Sequence, residues 1–93
     1  MTIFYEERFE FDISEVVEYI SEDSRAKGKK FAREIRQAIL KIPAFPYKHR
    51  QSIYFKDDTI RDLIYKGYVI AYMIDEESES ITILGMIKYK EKW

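Results

Sequence analysis

The 93-residue sequence contains no cysteine, which excludes disulfides, thiolate metal sites and cysteine nucleophiles and permits a reducing compartment. Proline occurs only twice, both times in the stretch PAFPYKHRQS, and histidine only once, at His49 in the same stretch. No apolar run approaches the ~20 residues that span a bilayer, and the opening MTIFYEERFEF lacks the basic-then-apolar order of a signal peptide. The expected location is the cytoplasm. A strong charge of either sign is also missing, since the net charge is −1. That balance conceals a division: residues 1–24 hold eight acids and one base, and residues 25–41 seven bases and one acid. The basic segment is either a binding face or the simple complement of an adjoining acidic helix. With 46% hydrophobic and 16% aromatic residues the chain lies well outside the disordered range, and its length predicts one domain over residues 1–93.

What is present is organised around residues 59–88, TIRDLIYKGYVIAYMIDEESESITILGMIK. Short β-rich runs alternate there with turn signals, which predicts three antiparallel strands at Ile60–Tyr65, Tyr68–Ile74 and Ile81–Ile87. Lys66-Gly67 supplies a tight hairpin turn, and the acidic run Asp75 to Glu79 must be a solvated connection. Gly85 is placed to mark a bulge. Simple alternation puts Ile81, Ile83 and Ile87 on one side of the last strand and Thr82, Leu84 and Met86 on the other. Because both sides are largely apolar, one is expected to need cover from a partner.

Upstream, the aromatic-rich Thr2 to Phe11 reads as a further strand with an irregular end. Asp12 followed by Glu15 resembles a capping box, after which Ile13, Val16, Val17 and Ile20 mark one face of a helix ending near Asp23. Ser24 can cap a second helix over Arg25 to Ile42, where Phe31, Ile35, Ala38, Ile39 and Ile42 share an arc of about 100° and the bases spread over the rest. Leu40 falls among the bases, as an ordinary exposed leucine or a partner contact. Gly28 would permit close approach of the two helices, Pro43 ends the second, and Phe45 in the following loop is expected to plug the space beneath the pair. The predicted fold is therefore α+β: an N-terminal strand, a helical hairpin and a three-stranded antiparallel meander, in the order βααβββ.

The segments DISEVVEYISEDS, FAREIRQAILKIPAFP, IRDLIYKGYVIAYMID and ITILGMIK, in this order, resemble the RelE/ParE superfamily of type II toxin–antitoxin toxins, closer in pattern to ParE-like members. The resemblance covers about Phe11 to Ile87. It implies a small bacterial toxin held inactive by a cognate antitoxin, with no cofactor or metal. Two mechanisms occur in the superfamily, and they make different demands on the side chains.

Nuclease members enter the ribosome and cleave mRNA by attack of the ribose 2′-hydroxyl, which requires a base, an acid and cations around the phosphate. They commonly carry a basic residue directly after the "GY" of the central hairpin, where this chain has Val69. The matching candidates that remain are Arg61, Lys88 and Tyr89, as a phosphate clamp and a proton donor. The alternatives are an ion pair of Arg61 with a neighbouring strand and a solvated tail from Lys88 to Trp93. His49 is expected to be an exposed loop histidine, and Tyr65, Tyr68 and Tyr72 core or half-buried sheet residues. A near-neutral protein also gains little from the field of an RNA-lined site. The favoured reading is a ParE-like inhibitor that binds DNA gyrase or another target, with a ribosome-dependent mRNA endoribonuclease or an inactive relative as alternatives. Its candidate partner contacts are Arg33, Arg36 and Leu40 on the helical hairpin and Leu84, Met86 and Trp93 at the C-terminal end.

Overall fold

Phe9 and Phe11 decide how the N-terminal region folds. A strand would put both on one face, whereas a helix turns them about 200° apart. In a computed structural model of the chain, which describes residues 1–89, Phe9 is fully buried and Phe11 is 63% exposed. The first strand, β1, accordingly spans only Thr2–Tyr5, and the first helix, α1, already begins at Glu7 and runs to Asp23. The apolar stripe of α1 extends back to Phe9, through Ile13 and Val16 to Ile20, and outweighs the β-propensity of the aromatic run. Glu6 is the N-cap and makes no side-chain cap bond, so the expected cap at Asp12 is corrected. Glu7 and Glu10 in the first turn complement the helix dipole instead.

The second helix, α2, covers Arg25–Leu40, and Ser24 caps it as expected, its Oγ accepting from the Lys27 N–H at 3.3 Å. Gly28 is buried against α1: a Cβ there would overlap the Ser21 hydroxyl and stand 3.1 Å from the Val17 carbonyl. A 3₁₀ turn, Ile42–Ala44, closes the helix, with proline in its first positions. Ile42, 1% exposed, fills the space that Phe45 was expected to plug; Phe45 is 71% exposed, because its turn points the ring outward.

The remaining strands are β2 (Arg50–Gln51), β3 (Ile60–Tyr65), β4 (Tyr68–Asp75) and β5 (Ser80–Lys88). They form one five-stranded sheet in the order β1-β5-β4-β3-β2. All pairs are antiparallel except β1 with β5, which is parallel because the helical hairpin carries the chain back between them. The expected meander is therefore present, extended at one edge by β1 and at the other by the two-residue β2. Lys66 and Gly67 both take positive φ, 46° and 83°, as a two-residue hairpin requires.

The register between β4 and β5 slips at Leu84. Tyr72 faces Ile83 and Ala71 faces Gly85, so Leu84 is the extra residue of a bulge beside Gly85. Beyond it every side chain changes face relative to simple alternation. Ile81, Ile83 and Met86 face the helices in one core with Phe9, Ile13, Phe31, Ile35, Ile39, Leu63, Ile70 and Tyr72. Ile87 turns to the opposite face, where Val69 is paired with it. Met86 is only 3% exposed, which corrects its assignment as a partner contact. No helix among the described residues is long and apolar enough to cross a membrane.

Candidate functional site

The strand registers fix how far apart the predicted catalytic residues stand. Arg61 pairs with Tyr72 near the start of β3, whereas Lys88 pairs with Tyr68, which in turn faces Tyr65 at the far end of β3. Four residues of register separate them, about 13 Å along the strands at ~3.3 Å per residue, with two strand spacings of ~4.8 Å in addition. Arg61 and Lys88 are therefore not brought together, and Tyr89 stays with Lys88, its N–H donating to the Gly67 carbonyl at 2.7 Å.

Arg61 is committed to local structure. Its Nε donates to the Asp58 carbonyl at 3.2 Å, its Nη1 to the His49 carbonyl at 3.3 Å, and its guanidinium lies 5.0 Å from the centre of the Tyr47 ring. It closes the loops on either side of β2 and β3. The ion pair expected at this point belongs to its neighbour: Arg50, opposite Asp62 in the register, lies 3.2 Å from the Asp62 Oδ2. That oxygen also accepts from the Ile53 N–H, and the Asp62 side chain is wholly buried. At the other end, the Lys88 ammonium lies 5.8 Å from the Tyr19 ring centre.

The end of the sheet that holds Arg61 also gathers His49, Tyr72 and Tyr47. His49 is half-buried, not exposed as expected, and its ring stands edge-on to Tyr72 at 6.1 Å. Burial, aided by the charge of Lys48, holds its pKa below the usual 6.5 and keeps the imidazole neutral near pH 7. Tyr72 is fully buried, and that burial drives its phenol far above the ordinary range; its hydroxyl donates to the Pro46 carbonyl at 2.7 Å. A phenol so held does not exchange protons with a substrate. Beside these residues a cleft of about 360 Å³ opens, with Lys41, Phe45, Lys48 and His49 among its walls and Ala38 and Leu63 beneath. It offers cationic and apolar contact, and the signal for it in the sequence was the basic, aromatic loop PAFPYKHRQS. Val69, at the position after Gly67-Tyr68, is fully buried and points away from the helices.

The expected partner contacts fall into different environments. Arg33 is exposed, and Leu40 is 65% exposed on the same side of α2. Arg36 is engaged within the chain, 2.8 Å from Glu10 and stacked near Tyr5 and Phe9. Leu84 is half-buried at the bulge, and Trp93 lies outside the described residues. Tyr65 and Tyr68 are half-buried against Phe31, with ring centres 6.2 and 5.4 Å away. No group of three or more acidic or histidine side chains comes together as metal ligands among the described residues.

A small, mostly antiparallel sheet carrying a helical hairpin on one face is a fold already seen in a toxin–antitoxin assembly. The chain matches one chain of the "Chromosomal ParDE TA system from P. aeruginosa" with a TM-score of 0.78, over 97% of both chains and at 15% identity. Residues 3–93 match the model of the family described as "ParE toxin of type II toxin-antitoxin system, parDE". The chain belongs to the ParE toxin family. No curated protein sequence matches it significantly.

Proposed function

We propose that this ParE-family toxin arrests growth by binding its target, DNA gyrase or another protein, and that a cognate antitoxin neutralises it. The observation that carries the reading is the separation of Arg61 from Lys88 and Tyr89 to opposite ends of the sheet. Cleavage through a 2′-hydroxyl needs acid, base and cations within reach of one phosphate. Of the predicted catalytic residues, Arg61 bonds to backbone carbonyls and stands far from Lys88 and Tyr89. The accessible members of the expected contact set, Arg33, Leu40 and Leu84, remain for protein partners. For the antitoxin, no strand among the described residues pairs with the outer edge of β3 beyond Asp62, and Ile64 there is 47% exposed. An extended antitoxin segment can add to such an edge as a strand.

The test is induced expression of the chain without an antitoxin, following growth, mRNA 5′ ends and gyrase-linked DNA breaks in one culture. DNA breaks or supercoiling defects with intact mRNA, relieved by co-expression of the neighbouring antitoxin, are the expected result. Codon-phased mRNA cuts that disappear in Arg61→Ala or Tyr89→Phe would refute the reading in favour of a nuclease. Unimpaired growth with folded protein accumulating would mark an inactive relative.

A further inference from the structure

The two helices of the hairpin carry opposite charges on the sides they turn to solvent. On α1, Phe11, Glu15, Glu18 and Glu22 fall within about 60° of one another around the helix axis, opposite Ile13 and Ile20, and all four are exposed. On α2, Lys29, Arg33, Gln37 and Leu40 form the corresponding crest opposite Phe31 and Ile35, and all are exposed. The pairs that link the helices within the chain are few: Arg36 with Glu10 at 2.8 Å, and near the turn Lys27 with Asp23 at 4.0 Å. Among the described residues, Glu15, Glu18, Glu22, Lys29 and Arg33 form no ion pair within the chain. One acidic ridge and one basic ridge thus lie side by side on a single face.

We propose that this face is a self-complementary surface through which two copies of the chain associate, α1 of each lying on α2 of the other. The geometry follows from a twofold axis parallel to the hairpin and passing between the copies. Such an axis exchanges left and right while keeping the level along the helices, so the acidic ridge of one copy meets the basic ridge of the other. The Arg36–Glu10 and Gly28–Val17 contacts set those levels within the chain. Glu18 stands level with Lys29, and Glu15 with Arg33. In the dimer each of these acids faces the partner copy's base at the same level. Toward the other end, Phe11 of one copy comes within a helical turn of the second copy's Leu40, which pairs two side chains that are 63% and 65% exposed.

The size of the face sets how firm the association is. Helices of 17 and 16 residues are about 25 Å long at 1.5 Å per residue. With a width of about 20 Å, the two copies together bury roughly 1,000 Å², at the low end for a specific interface. Exposed ion pairs each contribute little and are screened by salt. The dimer is therefore weak, reversible and lost at high ionic strength.

Two charge-reversed variants test it, each first shown by circular dichroism to fold. Glu15→Lys with Glu18→Lys makes both ridges basic, and Lys29→Glu with Arg33→Glu makes both acidic. Sedimentation equilibrium of the wild type should give a mass rising from 11.3 kDa toward twice that value in about 20 mM salt, and falling back in about 0.5 M salt. Either variant alone should dissociate at least tenfold more readily. Mixed one to one, they should associate again, since both ridge contacts become complementary in the mixed pair and in no other. A wild type monomeric throughout, a variant that still self-associates, or a mixture that stays monomeric overturns the proposal. So does a variant pair that loses antitoxin or gyrase binding while wild-type self-association does not depend on salt, for the face would then belong to that partner.

Discussion

Asp12 was expected to cap a helix, and the structure gives it a longer-range task. Strand β1 ends at Tyr5, and the last bond on that flank is from the Glu6 N–H to the Ile83 carbonyl. Past this point the outer side of β5 has no neighbouring strand among the described residues, yet Met86 is buried and its N–H needs an acceptor. Helix α1 crosses the gap, and the Asp12 Oδ2 accepts that N–H at 3.0 Å. Removing the carboxylate in Asp12→Ala strands a buried donor and forfeits a hydrogen bond to a charged group, a loss of about 1.5–3 kcal/mol. For a domain of this size that lowers Tm by roughly 10 °C or more. Asp12→Asn keeps an acceptor oxygen and should lose about half as much. The assay is chemical denaturation of the two variants, with amide hydrogen exchange read at Met86. If Asp12→Ala unfolds at the wild-type midpoint, or if the Met86 amide exchanges no faster in it, the carboxylate is not the tie between α1 and the bulged strand.

Three further outcomes follow from the same contacts. Gly28→Ala should destabilise by about 1–3 kcal/mol in denaturant titrations despite alanine's better helix propensity, and adding Ser21→Ala should recover part of the loss by removing the overlapping hydroxyl. His49 has a folded pKa below its usual 6.5, so the unfolded chain binds its proton first; stability should fall as pH drops below about 6.5 toward the folded pKa, and His49→Gln should flatten that slope in thermal melts. Arg61→Ala removes two bonds to loop carbonyls, so any loss of toxicity should come with a lower Tm and be recovered in part at reduced growth temperature; a catalytic arginine would lose activity with Tm unchanged.

Several local signals in the sequence match the structure, although the capping box at Asp12 does not. Ser24, the apolar arc from Phe31 to Ile42, the Lys66-Gly67 hairpin and the bulge beside Gly85 could all be read from a few neighbouring residues. What could not be read was non-local. The parallel pairing of β1 with β5 joins residues far apart in sequence, and without it the aromatic run to Phe11 has no reason to stop at Tyr5. Gly85 marks the bulge, but simple alternation misses its effect: one extra residue at Leu84 moves Met86 into the core and Ile87 out of it. At the candidate site, the sequence offers Arg61 as a phosphate clamp or as the cation of an ion pair with a neighbouring strand. The register of the two-residue β2 decides instead that Asp62 takes Arg50, leaving Arg61 to the loop carbonyls. His49 is half-buried because Tyr72, 23 positions further along the chain, stands against its ring.

These substitutions of role bear on function together. Three polar side chains near β3 are held by structural partners: Arg61 by carbonyls, Asp62 by Arg50, Tyr72 by Pro46. Freeing any of them for a substrate would leave a buried or half-buried polar group unpaired, at a cost of about 1–3 kcal/mol apiece. Other charges carry no such obligation, among them the two ridges of opposite sign on the hairpin. Because the ridges cancel in the net charge of −1, they create no long-range field to draw the chain toward RNA. At contact distance they do not cancel. A surface of that kind discriminates between protein partners by the order of its charges and responds steeply to salt.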